Sequence, residues 1–313
     1  MKMTLKILTA SLGVLALAAG CSSQGSAGAS SSSASTESSQ EAARTVSVSA
    51  SFYPVAWLTE QIGGSHVQVT SVTPGNVEPH DFELAPKDVS ALSSANLLVY
   101  VKGFQPSMDD AAATVSGPDI LDLSSAVDLK PADPATVEEG EKMGSDPHFW
   151  LDPVRMQAAA QAITTQLAKQ DSAHQADYDA NMKALNEKLT DLDSQFKNGT
   201  QKCALTTVVT SHAAFGYLTN RYGLTQTPIS GIDPESEPSP AELAAVKKVV
   251  ESTKTTTIFT EELVSPKTAE AVASETGAHT AVLSPIESQP EKGDYISAME
   301  NNLKEIRSAL SCK

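Results

Sequence analysis

Basic residues are scarce in this chain: 22 Lys and Arg stand against 38 Asp and Glu, a formal net charge of −16 over 313 residues. Without Lys2 and Lys6, which sit ahead of an N-terminal apolar stretch, the balance deepens by two to −18. Phosphate backbones are bound by clustered Lys and Arg, so this deficit excludes nucleic acid as a partner. The acidic surplus suits a soluble extracytoplasmic protein and favours cations nearby, although most surface carboxylates are simply solvated. No apolar run reaches the roughly 20 residues that a membrane-spanning helix needs. Neither an H-E-x-x-H nor a C-x-x-C spacing occurs, which removes two short signatures of zinc chemistry.

The apolar stretch from Ile7 to Ala19 is too short to span a bilayer and reads as a signal peptide, residues 1–20. It ends in Leu17-Ala18-Ala19-Gly20-Cys21, small residues before a cysteine that can be lipidated and become the mature N-terminus. Ala18 stands where leucine is more usual, and ordinary secretion leaving Cys21 as a free thiol is the alternative. Lipid on Cys21 would tether the protein to a membrane without a spanning segment, placing it at the cell surface, extracytoplasmic and lipid-anchored. Residues 21–44 are Ser, Ala, Gly, Gln and Thr with almost no large apolar side chain, so nothing offsets the entropy of ordering them. They form a disordered Ser-rich tether. Export also places Cys203 and Cys312 where disulfides persist, and a bridge between them is expected, closing the last helix onto a strand beginning near Ala204; joint ligation of zinc by the pair is the alternative.

About 270 residues follow the tether, a length that suits two domains of ordinary size. The alternation in Val46–Phe52 predicts a strand with one buried face, followed by a helix over Val55–Ile62, a strand over Val67–Val72 and a helix opening after Ala85-Pro86-Lys87. Leu97–Val101 is a continuous apolar run, as expected of a strand covered on both faces. Residues 154–196 lack glycine and proline and repeat apolar residues at helical spacing, broken softly around Gln170-Asp171-Ser172. The second helix, Ala173 to Phe196, carries Tyr178, Met182, Leu185, Leu189 and Leu192 on one side and is long enough to run past both domains; two ordinary helices of one domain fit the periodicity as well. The pattern then restarts, with strands over Ala204–Thr210, Thr257–Thr260 and His279–Leu283, helices over Ala213–Tyr222, Pro240–Ser252 and Pro266–Thr276, and a closing helix over Tyr295–Leu310. The expected fold is α/β: an N-terminal domain over residues 45–170, a long rigid linker helix over 171–198, and a similar C-terminal domain over 199–313, both with parallel sheets.

Histidine is sparse too, and three of the six lie in separate short contexts: Glu78-Pro79-His80-Asp81-Phe82-Glu83, Asp146-Pro147-His148-Phe149-Trp150 and Ser211-His212-Ala213-Ala214-Phe215. Ligands of open α/β sheets gather past the carboxyl ends of strands. His80 follows the second strand, His212 lies just past the strand ending at Thr210, and Glu287 comes just past the strand ending at Leu283. His148 lies in the loop that leads into the first linker helix. A lone loop histidine is most often solvated or structural, but together these residues are candidates for one metal site in the cleft between the domains. His66, His174 and His279 fall in no such segment and are expected at the surface or in packing.

Four segments, Val77–Glu83, Asp146–Pro153, Ser211–Tyr217 and Glu237–Pro240, resemble in order those of the metal-specific solute-binding lipoproteins of bacterial ABC importers, the cluster A-I group, and within it the zinc branch. The resemblance runs from Phe52-Tyr53-Pro54 to the last helix. It implies that His80, His148 and His212 ligate Zn²⁺, with Glu287, or a water in its place, as the fourth ligand. Manganese-binding relatives carry a carboxylate where His212 stands, and three nitrogens with one oxygen suit tetrahedral zinc. Many zinc relatives have a His-rich acidic loop between the first two ligands; here the stretch from Leu129 to Gly144 has no histidine, and Asp133, Glu138, Glu139 and Glu141 suggest either a solvated loop or a weak metal collector. The implied function is capture of zinc as cargo and its delivery to an ABC permease and its ATPase subunit, by a monomer without enzymatic activity. A manganese or iron importer subunit, a metal-stabilised surface adhesin and a zinc hydrolase are the competing readings.

Overall fold

The computed structural model describes residues 45–133 and 144–313. The signal peptide, Cys21, the tether, and Glu138, Glu139 and Glu141 of the acidic stretch lie outside the described residues. In the first half β1 (Val46–Ala50) leads through α1 (Tyr53–Gly63) to β2 (Val67–Ser71), α2 (Pro86–Ser94), β3 (Leu97–Tyr100), α3 (Pro106–Thr114) and β4 (Asp119–Asp122). All pairings are parallel, in the order β2-β1-β3-β4. Strand order reverses between β1 and β3, which opens a crevice at their carboxyl ends.

Two helices follow, α4 (Pro153–Gln170) and α5 (Gln175–Thr200), separated by a single 3-10 turn at Ser172–His174. The second half then repeats the first: β5 (Thr207–Thr210), α6 (Gly216–Tyr222), β6 (Thr225–Pro228), α7 (Pro240–Thr253), β7 (Thr257–Thr260), α8 (Lys267–Thr276), β8 (His279–Val282) and α9 (Tyr295–Ala309). Its sheet is parallel in the order β6-β5-β7-β8, so a second crevice forms at the ends of β5 and β7. The two-sheet α/β fold is the one the βα alternation predicts.

Local chemistry sets most element boundaries. Proline occupies the first turn of α1, α2, α3, α4 and α7, where its missing N–H is no loss. Asp152 caps α4 by accepting from the Val154 N–H, and Ser239 with Glu242 forms a capping box on α7. The central strands β3, β5 and β7 are buried along their whole length, consistent with cover on both faces. Three elements escape the periodicity: α3, β4 and β6. The strands β4 and β6 are two of the four sheet edges, half-solvated and with no alternation to read, as in Asp119-Ile120-Leu121-Asp122 and Thr225-Gln226-Thr227-Pro228. The helix expected from Ala213 opens as a 3-10 turn, Ala213–Phe215, before α6 begins.

With 26 residues, α5 is about 39 Å long. It packs on α1 and α4 from the first half and on α9 and α6 from the second. Its buried face is Tyr178, Leu185, Leu189, Leu192 and Phe196. One continuous apolar core joins Val48 and Phe52 of the first lobe, through Trp150, Ile163 and Leu189, to Phe259, Tyr295 and Ile306 of the second. Cys203 and Cys312 form a disulfide, so neither offers a thiol to a metal. It holds the end of α9 against the segment entering β5, where the Ala204 and Leu205 N–H groups also donate to Leu310 O. No helix among the described residues is long and apolar enough to cross a membrane.

Candidate metal centre

The crevices of the two sheets face one another, and four side chains meet there. His80, His148, His212 and Glu287 are all buried and offer one donor atom each within 4.8 Å of the others. His148 Nε2 lies 3.3 Å from both His80 Nε2 and His212 Nε2. Glu287 Oε1 stands 3.6 Å from His80 Nε2, 3.5 Å from His148 Nε2 and 3.6 Å from His212 Nε2. Donors about 2.0–2.1 Å from a tetrahedral zinc would be separated by about 3.3 Å, so these spacings match the edges of such a tetrahedron. Glu287 Oε1 is also buried without a hydrogen-bond partner. A lone pair in that state is expensive unless something electropositive occupies the centre.

Two of the imidazoles are aimed by buried or half-buried carboxylates behind them. His212 Nδ1 donates to Glu261 Oε2 at 2.6 Å, and its backbone N–H donates to Oε1 of the same group at 3.1 Å. His148 Nδ1 donates to Asp146 Oδ1 at 2.8 Å, and its N–H donates to the same atom at 3.0 Å. Occupying Nδ1 orients each ring and leaves Nε2 facing inward, where its lone pair becomes available to a metal once the ring is neutral. Sequence reasoning named neither carboxylate. Asp146 was visible as the first residue of the Asp-Pro-His segment, and Glu261 follows β7 directly, the position that the strand-end rule marks in α/β sheets.

Burial depresses the His80 imidazole, and the neighbouring His148 and His212 add to that against the pull of Glu287. Burial acts on His212 in the same direction, but Glu261 and Glu287 overcome it and push it up to about 10. At His148 burial is likewise outweighed, here by Asp146 and Glu287, and the ring is raised. Burial would raise Glu287, yet the His148, His212 and His80 imidazoles gathered around it hold its carboxyl well below the usual range. Without metal, then, the cluster stores a carboxylate and at least one imidazolium.

Phe104 sets its ring edge-on to His80 at 4.6 Å, and Trp150 packs 5.1 Å from His148, giving the donors an apolar wall. Ile286, buried beside Glu287, holds φ at 57°, a left-handed conformation that a β-branched residue rarely adopts. The other histidines lie elsewhere: His66 bonds Asp177, His174 bonds Asp171, and His279 bonds Thr257.

Two parallel sheets closing on a buried His₃Glu donor set define the two-lobed class of solute-binding proteins. Residues 48–309 match the family described as ZnuA, zinc-uptake complex component A, periplasmic, and the chain belongs to that family. It is 35% identical over 283 residues to the high-affinity zinc uptake system protein ZnuA of Bacillus subtilis (strain 168), covering 85% of this chain and 88% of that one. It is 32% identical over 317 residues to the zinc-binding lipoprotein AdcA of Streptococcus pneumoniae (strain ATCC BAA-255 / R6), where it covers 97% of itself but only 60% of that longer relative. Among solved structures, a Zn(II)-bound variant of AdcAII from Streptococcus pneumoniae superimposes with a TM-score of 0.77 at 31% identity, over 85% of this chain and 99% of the other. The laminin-binding protein Lmb of Streptococcus agalactiae, described as bifunctional with adhesin and metal transporting activity, gives 0.77 at 32% over the same shares.

Proposed function

We propose that this protein captures Zn²⁺ outside the cytoplasm and hands it to a membrane permease driven by an ATPase subunit. The observation that carries the reading is the set of four buried donors, His80, His148, His212 and Glu287, at tetrahedral spacing with an orphaned oxygen in their midst. Three imidazole nitrogens and one carboxylate oxygen favour zinc over manganese, which prefers more oxygen. Four protein donors also close the coordination sphere, whereas hydrolytic zinc keeps one position open for water, so the reading is of a binding protein rather than an enzyme. Membership of the zinc-uptake family and the names of its relatives support the same cargo.

In this reading Cys21 carries lipid, residues 21–44 form the tether, and the folded part acts as a monomer. Lobes of residues 45–170 and 199–313 flank a rigid linker within 171–198, so release comes from a small movement that the permease stabilises, in which the ligands no longer converge. The test is to strip metal from residues 43–313, offer equal zinc and manganese, and measure bound metal by mass spectrometry with His212→Ala alongside. One zinc per chain, lost or weakened in the variant, is expected; preference for manganese or no bound metal would overturn the reading.

A further inference from the structure

His80 differs from its partners in how it is held. Among the described residues no carboxylate partners its Nδ1, whereas His148 and His212 each have one. It sits instead on a long loop between β2 and α2, which must be fixed through its backbone. Gln105, only 1% exposed, lies under that loop at the entry to α3. Its Nε2 spends one proton on Thr73 Oγ1 at 2.8 Å and the other on Pro79 O at 3.1 Å, one residue before His80. Thr73 is itself anchored to the end of β1, with its Oγ1 and N–H both donating to Ser51 O at 2.9 and 3.0 Å.

One amide thus pins the base and the tip of the His80 loop to the strand-end crevice. Its own frame is rigid, because the Gln105 carbonyl accepts from the Met108 and Asp109 N–H groups as α3 begins. Meanwhile Gln105 Oε1 is buried with no partner. A buried acceptor left alone is destabilising, and an apolar side chain would avoid it, so the amide is explained by what its two donors do.

We infer that Gln105 is a positioning residue for His80, setting that imidazole at its vertex of the metal site through the Pro79 carbonyl. The inference rests on the zinc reading above. Ligand placement must hold to about 0.5 Å for full affinity, and groups behind the ligands typically account for 10–100-fold in metal binding.

The test is a double-mutant cycle on zinc affinity, measured by competition with a chelator, for the unaltered protein, Gln105→Leu, His80→Ala and the double variant. Gln105→Leu is expected to weaken zinc binding by about 10-fold. In the His80→Ala background the same substitution should have no further effect, because the ring it places is gone. An equal loss in both backgrounds would mean a general structural effect and overturn the inference, as would no loss in either. If His80→Ala weakens binding and Gln105→Leu does not, this inference fails while the zinc site stands; if the unaltered protein binds no zinc, both fail. Thr73→Val, which removes the hydroxyl that Gln105 holds and keeps the branched shape, provides a second cycle should Gln105→Leu not fold. There too, loss confined to the background with His80 supports the inference and additive loss overturns it.

Discussion

The Trp150 indole Nε1 donates to the Pro285 carbonyl at 2.7 Å, a hydrogen bond between the two lobes. Trp150 lies two residues after His148 and Pro285 two before Glu287, so this bond sets the spacing of one donor from each lobe. The Tyr295 hydroxyl reinforces it by donating to Trp150 O. Tyr217 Oη adds a second tie, donating to Asp146 O at 2.8 Å while accepting from Lys130 N at 2.7 Å.

Trp150→Phe keeps an aromatic ring in place but strands the Pro285 carbonyl in the core. The metal-free protein should lose about 1–3 kcal/mol of stability in denaturant unfolding. Zinc affinity should fall as well, since His148 and Glu287 are no longer held in register; an unchanged affinity would show that the donors are spaced by other contacts.

Glu261→Gln leaves the His212 ring without its carboxylate. Zinc affinity is expected to drop 10–100-fold, as it does when groups behind a metal-bound histidine are removed. Chelator competition measures the loss, and a change below about twofold would contradict the role assigned to Glu261.

Binding should release protons. With His212 raised to about 10, its ring is charged near neutrality in the metal-free protein, and zinc must displace that proton. Calorimetry at about pH 8 in buffers of different ionisation enthalpy should therefore show net release of at least one proton, and affinity should fall as pH falls. No release would mean that the ring is already neutral before metal arrives.

The same shift carries a stability consequence with a definite sign. The His212 pKa rises from 6.5 to about 10 on folding, so its contribution is complete below pH 6.5 and is lost as pH rises through 10. Metal-free protein should melt at a lower temperature at the top of that window than at the bottom. His212→Gln should show a smaller decline; an identical decline would assign the effect to other groups.

Reduction of the Cys203–Cys312 disulfide, or its replacement by serines, opens a loop of 109 residues. A loss of about 2–5 kcal/mol in unfolding free energy is expected. Zinc affinity should not change, because the bridge lies at the far end of β5 from His212.

The strand and helix alternation, the long α5 and the three histidine segments were all legible in the chain, because each depends on residues close in sequence. Apolar spacing marks a buried face whatever it packs against, and Pro or Ser at a helix start acts on its own first turn. The edge strands β4 and β6 were not legible, because their sequences carry no apolar alternation, whereas the edge strand β2 sets Val67 and Val69 between polar residues and was read.

By itself, then, the sequence determined most of the elements and the three loop segments in which the histidines stand. Only the tertiary structure decided that Glu261 rather than a nearer carboxylate aims His212, across 49 positions, and that Trp150 meets Pro285 across 135. It also decided that Glu287 Oε1 is left without a hydrogen-bond partner. The reason is physical: periodicity and capping are short-range, whereas the donor set exists only where two crevices, each built at the reversal of a parallel sheet, are packed face to face on one core.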